Sequence, residues 1–323
     1  MAFKLVMLPP QSATVRGWAT RLAAAVPAVN VVIAEGVQQA QHEIVDADGV
    51  FGTLTPELLA RAEKLRWLQA PQAAPPAGFY FPELIAHPLV ATNFREIFND
   101  HIGAHIMAFV YAFARGFHRF IPQQMRREWA KSPAEDGDVI HLPEATILIV
   151  GLGGIGAEAA RLAAAAGLRV LGTDARRTSP PPGVTEMHRP EKLDELLPQA
   201  DFVVLTVPHT PATEGFFHRA RFQRMKRTAF FINIGRGKTT KLDDLVASLN
   251  AGEIAGAALD VFEIEPLPAD HPLWTMPNVL LTPHMAGHGK YLNERRYQIL
   301  EDNCRAMSNG GQLRNIVDKA SWF

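Results

Sequence analysis

A Gly-rich unit between residues 146 and 177 is the feature of this sequence that most constrains its fold. The unit opens with a short apolar run rich in β-branched residues, 146–150, which is typical of a strand buried on both faces. Three glycines follow in the pattern G-x-G-x-x-G, and they are Gly151, Gly153 and Gly156. Such glycines permit a tight turn, close approach of the backbone to a pyrophosphate, and close packing of a helix on a strand. The pattern therefore predicts a dinucleotide-binding turn.

The second half of the unit continues the alternation of strand and helix. An Ala-rich helical segment runs to about Ala166, and residues 169–173 form a second apolar run that ends in Asp174. Asp174 follows the first glycine at about the 20-residue offset expected of the carboxylate that binds the adenosine ribose. This carboxylate predicts NAD as the cofactor. Arg176 and Arg177 keep NADP open, because arginines at this place can accept a 2′-phosphate.

Length and composition restrict the class of protein. The chain has 323 residues, 47% of them hydrophobic and 20% charged, which is typical of about two globular domains. The formal net charge of −1 gives no global field that would favour nucleic acid or an anionic membrane as a partner. No apolar run reaches the ~18 residues of a membrane span. Cys304 is the only cysteine, so we expect a cytoplasmic protein without a disulfide or a metal site.

Hydrophobic periodicity divides the chain into two α/β regions. The first ~100 residues alternate short apolar runs with helical segments, which predicts a small parallel sheet of their own. A second alternation, over residues 146–284, predicts a doubly wound sheet with its ligands at the carboxyl ends of the strands. Between the two regions, residues 102–117 are apolar around most of a helix, so we expect this helix to be buried between domains or subunits. Residues 121–143 are polar and predict a surface excursion.

Three polar residues stand just past the ends of the later predicted strands, where a doubly wound sheet places its site. Arg236 offers a rigid fork of donors that matches a carboxylate. His284 can exchange a proton with a carbonyl or an alcohol near neutral pH, and Glu265 beside it would favour the imidazolium. Together with a hydride carrier, these groups supply what the reduction of a 2-oxo acid requires.

Other interpretations of these residues remain open from the residues alone. Arg236 lies between two glycines and could be a surface turn, and Glu265 lies among several carboxylates of a loop. The sequence has 12 histidines. Three others in the second half rival His284 as the acid/base group, and they are His209, His271 and His288.

Five motifs in order make the chain resemble the D-isomer-specific 2-hydroxyacid dehydrogenase family. They are GLGGIG, VPHTPATEG, INIGRG, GAALDVFEIEPLP and LTPHMAG, and the similarity covers roughly residues 45–310. The resemblance implies that Arg236 is the catalytic arginine, Glu265 the glutamate paired with the acid, and His284 the acid/base histidine. The resemblance therefore favours His284 over His209, His271 and His288 as the acid/base group.

The resemblance also implies a set of cofactor contacts. Asp260 matches the residue that contacts the nicotinamide carboxamide, and Val207 and Pro208 match the segment beside the adenosine. The full set expected at the cofactor is Gly151, Gly153, Gly154, Ile155, Gly156, Asp174, Arg176, Val207, Pro208, Ile234, Gly235, Arg236, Asp260, His284 and Gly287.

Members of this family have two Rossmann-like α/β domains with the site in the cleft, and the resemblance implies the same for this chain. We expect a larger doubly wound domain, residues 100–288, that binds the dinucleotide. We expect a smaller, flavodoxin-like domain, residues 1–99 with 289–323, that binds the substrate. The helix over residues 102–117 would then form the surface of a homodimer.

Departures from the family pattern concern the substrate. The Gly-rich loop that receives the substrate carboxylate is QAAPPAG here, and Pro75 and Pro76 have no N–H to donate. Ala104 stands where the family commonly has Glu. Phe79, Tyr80 and Phe81 would either give a more apolar pocket or pack beneath the loop.

The resulting hypothesis is an NAD(P)-dependent reductase that converts a 2-oxo acid to a D-2-hydroxy acid. Its substrate would be glyoxylate, hydroxypyruvate or a larger 2-oxo acid. The alternative is a dinucleotide-sensing binding protein without significant turnover, like the transcriptional corepressors that share the fold.

Overall fold

Strands and helices alternate along most of the chain in a computed structural model that describes residues 3–73, 76, 78–131 and 139–320. Its strands are β1 (Phe3–Met7), β2 (Val29–Ile33), β3 (Gly49–Phe51), β4 (Trp67–Gln69), β5 (Val90–Thr92), β6 (Thr146–Val150), β7 (Arg169–Thr173), β8 (Glu186–His188), β9 (Phe202–Leu205), β10 (Phe230–Asn233), β11 (Gly256–Leu259), β12 (Val279–Leu281) and β13 (Ile316–Val317). Its α-helices are α1 (Ala13–Ala25), α2 (Val37–Glu43), α3 (Pro56–Leu59), α4 (Pro82–Ala86), α5 (Asn99–Ala114), α6 (Phe117–Arg126), α7 (Gly154–Ala165), α8 (Leu193–Leu196), α9 (Arg219–Phe222), α10 (Leu242–Asn250) and α11 (Leu292–Asn309).

The chain separates into two compact units, and the first consists of residues 1–97 with 289–323. Its sheet has the strand order β13-β5-β4-β3-β1-β2. All neighbouring strands run parallel except β13, which pairs antiparallel with β5. The order of β1 to β5 is that of flavodoxin-like sheets, and this part of the fold prediction is confirmed.

The second unit consists of residues 98–288 and holds a seven-stranded sheet with the order β12-β11-β10-β9-β6-β7-β8. Every pairing in this sheet is parallel. The strand order reverses at β6, which begins the Gly-rich unit, and this arrangement confirms the predicted doubly wound fold. Assignment of the first unit to the substrate and the second to the dinucleotide stays a prediction.

Two hydrophobic clusters cover the faces of the second sheet. One includes α5, α7 and the face of β6 that carries Ile147 and Ile149; the other includes α10 and the opposite face. Helices α5 and α7 approach closely because Gly103 has no side chain: a Cβ there would lie 2.9 Å from Cγ of Glu158. Helix α5 is thereby fixed against the helix that starts at the Gly-rich turn.

A buried polar network joins the C-terminal helix to the sheet of the first unit. The amide of Asn303 on α11 donates to Oε1 of Gln69 at 3.1 Å, and Thr92 donates to the same oxygen at 2.8 Å. The indole of Trp67 donates to the Thr92 hydroxyl at 2.9 Å. Since these side chains are almost fully buried, each would be costly without its partner. The network explains why α11 belongs to the first unit.

The apolar helix predicted over residues 102–117 differs from the observed one. Helix α5 begins earlier, at Asn99, and ends at Ala114, and Gly116 then turns the chain with φ of +69°. Helix α6 follows, and none of its residues is buried, so residues 121–126 lie on the surface as predicted but in a helix. The left-handed conformation of Gly116 ends α5 and allows α6 to begin in a new direction, because glycine adopts this conformation without steric cost.

Other differences concern short elements. Strands β8 and β13 were not predicted, and they have only three and two residues. In the loop over residues 72–80, Phe79 and Tyr80 are buried in the core of the first unit, and this supports the packing alternative for these aromatics. Pro75 lies outside the described residues. Within the described part of the chain, none of the helices is sufficiently long and apolar to span a membrane.

Candidate active site

The carboxyl ends of three neighbouring strands carry the predicted catalytic residues. Arg236 follows β10, Glu265 follows β11, and His284 follows β12, and these strands are adjacent in the sheet. Because adjacent parallel strands end at one edge, the loops after them meet there. All three side chains line one open pocket of the second unit.

His284 and Glu265 are in direct contact. Nδ1 of His284 lies 2.6 Å from Oε2 of Glu265. The other carboxylate oxygen, Oε1, accepts a hydrogen bond from the backbone N–H of Phe262 at 3.0 Å, which fixes the carboxylate. A carboxylate only accepts, so Nδ1 carries the proton that is donated to it. Nε2 of His284 is the ring nitrogen left for a ligand, and 51% of the side-chain surface is exposed.

The loop that carries Arg236 is held by Asn233, a fully buried residue at the end of β10. The side-chain amide of Asn233 donates to the carbonyl oxygen of Arg236 at 3.2 Å and to the hydroxyl of Thr240 at 3.0 Å, and its Oδ1 accepts from the N–H of Gly235 at 3.0 Å. Surrounding protein atoms desolvate the guanidinium of Arg236 and lower its pKa, and the negative charge of Glu265 opposes this shift. Nη1 of Arg236 donates to the carbonyl oxygen of Gly235 at 2.7 Å, and this contact anchors the guanidinium to the loop.

Asp260 holds the turn that carries His284. Its carboxylate is almost fully buried and accepts hydrogen bonds from the N–H groups of Met285 at 2.8 Å and Ala286 at 2.9 Å. The hydroxyl of Thr282 donates to it at 2.6 Å. These contacts lie on both sides of His284, whose φ of +50° is uncommon for a residue with a side chain.

The Gly-rich turn shows a separate reason for each glycine of its pattern. Gly151 has φ of +100°, and a Cβ on Gly156 would lie only 1.9 Å from the carbonyl oxygen of Gly151. By contrast, a Cβ on Gly153 would meet no protein atom within 4 Å. Space beside Gly153 is therefore not used by the protein itself, as expected where a pyrophosphate approaches the backbone.

The first turn of α7 adds donors to this space. The helix begins at Gly154 with Gly153 as its N-cap, and no side chain caps it. The N–H groups of the first turn, which include those of Ile155 and Gly156, have no intrahelical acceptors and suit an anion. The residues at this turn fit a dinucleotide.

Asp174 lies at the end of β7, beside the Gly-rich turn. Its Oδ2 accepts from the N–H of Leu152, and its Oδ1 accepts from the N–H groups of Arg176 and Arg177, each at 2.8 Å. Burial opposes ionisation of Asp174, but the hydrogen bonds from these three N–H groups outweigh it and lower the pKa of the carboxyl. The carboxylate is thus charged at neutral pH. Nε of Arg177 donates to the carbonyl oxygen of Leu152.

The remaining predicted cofactor contacts lie along the same strand ends. Val207 and Pro208 follow β9, and a Cβ on Gly151 would lie 3.0 Å from the side chain of Val207. Ile234 and Gly235 follow β10, where a Cβ on Gly235 would lie 2.8 Å from the carbonyl oxygen of Val207. Gly287 follows the His284 turn and lies against the ring of Phe98.

Sequence reasoning missed several residues at the pocket. Lys238 and Glu263 line it together with the predicted residues and with His209, which the sequence considered only as a rival to His284. His271 instead accepts a hydrogen bond from the N–H of Leu273 and caps a short helical turn. No spacing rule marks Lys238 or Glu263, because their positions depend on the loops after β10 and β11.

Gly153→Ala separates ligand contact from protein packing at this turn. Because the added methyl group meets no protein atom, we expect the ligand-free variant to unfold at the same temperature as the parent protein. Dinucleotide affinity should fall at least tenfold, or about 1.4 kcal/mol. Both quantities can be measured by thermal unfolding with and without NADH and NADPH.

Gly17→Ala serves as the matched control, since a Cβ at Gly17 on α1 also meets nothing within 4 Å. It should leave dinucleotide affinity unchanged. Unchanged affinity in Gly153→Ala as well would show that the open space beside Gly153 does not receive the ligand.

Comparisons with known proteins agree with this geometry. Residues 107–286 match the family model described as D-isomer specific 2-hydroxyacid dehydrogenase, NAD binding domain. The chain is 35% identical over 292 residues to glyoxylate/hydroxypyruvate reductase B of Klebsiella pneumoniae strain 342, and the match covers 88% of each protein.

Solved structures show the same similarity. A D-isomer specific 2-hydroxyacid dehydrogenase from Xanthobacter autotrophicus Py2, in complex with NADPH and MES, matches with a TM-score of 0.81 and 27% identity over 100% of each chain. An NADPH-dependent glyoxylate/hydroxypyruvate reductase from Sinorhizobium meliloti, in complex with NADP and sulfate, matches with a TM-score of 0.80 and 26% identity, again over 100% of each chain. The chain belongs to the D-isomer specific 2-hydroxyacid dehydrogenase family.

Proposed function

We propose that this protein reduces a 2-oxo acid to a D-2-hydroxy acid with a nicotinamide dinucleotide as the reductant. The observation that carries the proposal is the 2.6 Å contact between His284 and Glu265 in a pocket that Arg236 also lines. A proton donor and a carboxylate-binding cation are the two groups that a 2-oxo acid requires from the protein. The family of the chain and its reductase relatives support the same reaction. They give no support to the sensing alternative.

Arg236 binds the substrate in this mechanism. Its guanidinium offers N–H donors to the carboxylate of the 2-oxo acid, and the geometry of the fork orients the carbonyl group beside it. The contacts of Asn233 hold the backbone of the loop, and the guanidinium donates to the carbonyl oxygen of Gly235 in that loop. Bound nicotinamide supplies the hydride that C2 of the substrate receives.

His284 supplies the proton. Its Nδ1 is committed to Glu265, so Nε2–H of the imidazolium donates to the carbonyl oxygen as that oxygen gains negative charge. The carboxylate of Glu265 stabilises the imidazolium and holds the orientation of the ring. After the transfer, His284 is neutral and recovers a proton from solvent, to which half of its side chain is exposed.

For the substrate, we propose glyoxylate and hydroxypyruvate as the first candidates. The Klebsiella pneumoniae relative and the Sinorhizobium meliloti structure are both named for these acids. The polar lining of the pocket by His209 and Lys238 suits small, oxygen-rich substrates. Burial of Phe79 and Tyr80 in the core of the first unit removes the reason to expect an apolar substrate site from them.

For the cofactor, we propose NADH in preference to NADPH. Asp174 is the expected ribose contact and accepts hydrogen bonds from three N–H groups, and its charge would repel a 2′-phosphate there. The solved relatives from Xanthobacter autotrophicus and Sinorhizobium meliloti contain NADPH or NADP, so this protein should also accept NADPH. Arg176, two residues after Asp174, would then bind the 2′-phosphate.

We further propose a cytoplasmic homodimer. Five apolar residues from the end of α5 through α6 are at least one-third exposed, and they are Tyr111, Phe117, Phe120, Ile121 and Met125. A second copy of the chain would remove this surface from water. The proposed contact therefore extends beyond the helix over residues 102–117 that the sequence predicted and includes α6.

A panel of 2-oxo acids tests the reaction. We expect oxidation of NADH with glyoxylate and hydroxypyruvate, with kcat/KM for each at least tenfold above that for phenylpyruvate or a branched 2-oxo acid. The glycerate formed from hydroxypyruvate should be the D-isomer, as chiral chromatography would show. Absence of turnover with every acid of the panel would refute the proposed function.

His284→Ala and Arg236→Ala test the assigned roles. Loss of the general acid should lower kcat by about 10²–10⁴-fold. Loss of the arginine should lower kcat/KM to a similar extent, because the carboxylate is then unbound. Affinity for NADH, measured by fluorescence titration, should stay within about threefold in both variants. His271→Ala is the control histidine and should retain turnover; a His284→Ala enzyme with normal kcat would contradict the mechanism.

Asp174→Ser tests the cofactor preference. Removal of the charge should move the ratio of kcat/KM for NADPH to that for NADH upward by at least tenfold, because a 2′-phosphate no longer meets a carboxylate. Asp201→Ser is the control, because the Asp201 carboxylate also accepts a hydrogen bond from a backbone N–H, that of Thr146 at the start of β6. The ratio of the two kcat/KM values should stay unchanged in this variant. A parent enzyme that already prefers NADPH would show that Asp174 does not set the selectivity.

A further inference from the structure

A chain of side-chain hydrogen bonds runs from α5 to the turn of His284. Nε2 of His105 lies 3.0 Å from Oγ1 of Thr282, and Oγ1 of Thr282 lies 2.6 Å from Oδ1 of Asp260. The same Oδ1 accepts from the N–H of Met285, and Oδ2 accepts from the N–H of Ala286. His105 and Thr282 are thereby linked to the residues that follow His284.

The chemistry of the three groups fixes the direction of this chain. The carboxylate of Asp260 only accepts, so the single hydroxyl proton of Thr282 is donated to it. Thr282 must then accept from His105, which requires a proton on Nε2 of the imidazole. Burial lowers the pKa of His105, and the charge of Asp260 opposes this shift. The neutral ring with a proton on Nε2 supplies the required donor.

The position of His105 is set by packing and not by the site. Its ring meets the ring of Phe109 edge to face, with centroids 4.6 Å apart. Helix α5 is fixed against α7 through Gly103. The donor therefore stands on a helix that is packed against α7 and lies outside the loop after β12.

The turn of His284 requires such support. A φ of +50° costs free energy for a residue with a side chain and persists only where the surroundings determine it. The hydrogen bonds that Asp260 accepts from the N–H groups of Met285 and Ala286 fix the backbone on the far side of His284. Thr282 belongs to the near side, and the N–H of His284 donates to its carbonyl oxygen at 3.0 Å. Both sides of the turn thus meet at the carboxylate of Asp260.

We propose that His105 and Thr282 are positioning residues for His284. By orienting the buried carboxylate of Asp260, they hold the turn so that Nδ1 of His284 meets Glu265 and Nε2 meets the substrate. The inference rests on the proposed function of His284 as the proton donor. The proposal gives Asp260 a second role, in addition to the nicotinamide contact that the family resemblance implies. Both of its carboxylate oxygens already accept hydrogen bonds from N–H or O–H groups of the turn.

Four variants test the proposal, two that break the chain and two that preserve it. Thr282→Val keeps the shape and removes the hydroxyl, and Thr282→Ser restores it. His105→Phe keeps the edge contact with Phe109 and removes the donor, and His105→Gln restores a donor near the place of Nε2. Thr275→Val, at an exposed threonine, is the control. Thermal unfolding identifies any variant that fails to fold.

We expect the two breaking variants to lower kcat about tenfold while KM for the 2-oxo acid and Kd for NADH change less than threefold, because misplacement of a reacting group acts on the chemical step. The preserving variants and the control should keep kcat within about twofold. A fall in NADH affinity that matches the fall in kcat/KM would overturn the proposal and assign Thr282 and His105 to cofactor binding through Asp260. Unchanged kcat in both breaking variants would also overturn it.

A second readout does not depend on turnover. The proton that His284 donates from Nδ1 to Glu265 should give a downfield NMR signal, assigned by its loss in His284→Gln. We expect this signal to broaden or vanish in Thr282→Val and His105→Phe, and to persist in Thr282→Ser and His105→Gln. A signal unchanged in Thr282→Val would refute the positioning role. If the parent protein shows the signal and reduces no 2-oxo acid, the proposed function fails and the NMR comparison still decides the role of the two residues.

Discussion

The close approach of Gly156 to Gly151 is the constraint on which the second unit depends. No side chain fits at Gly156, where a Cβ would lie 1.9 Å from a backbone oxygen. This approach sets where α7 starts relative to β6, and α5 in turn packs on α7 through Gly103. The uncapped first turn of α7 and the histidine donor on α5 are therefore placed by the same backbone contact.

The candidate site uses the parallel sheet in a second way. Strands β10, β11 and β12 each deliver one polar residue to a common edge, and buried side chains at the strand ends then hold the loops. Asn233 serves the Arg236 loop and Asp260 serves the His284 turn. In both cases a buried polar side chain forms hydrogen bonds with several backbone atoms of the segment it supports. The geometry of the pocket therefore depends on buried hydrogen bonds at the strand ends.

Much of this arrangement could be predicted from the sequence. The Gly-rich pattern and the periodicity gave both sheets, and strand-end position with motif resemblance identified Arg236, Glu265 and His284. Prediction stopped where spacing carries no signal. His105 is one of two histidines on the apolar helix α5, and its contact with Thr282 joins positions 177 residues apart. The break at Gly116 and the two-residue strand β13 depend on local backbone geometry and tertiary pairing, which periodicity does not report.

The buried amide of Asn303 also bears on the order in which the chain folds. Its partner Gln69 lies 234 residues earlier, on a strand made long before α11 leaves the ribosome. Contacts between residues so far apart in sequence form slowly. Until α11 packs on the sheet, the polar groups of Gln69 and Thr92 lack Asn303 as a hydrogen-bond partner. The second unit needs no such return of the chain, because residues 98–288 are continuous. During synthesis, the inserted unit can thus mature first, while the unit that encloses it in sequence waits for its last helix.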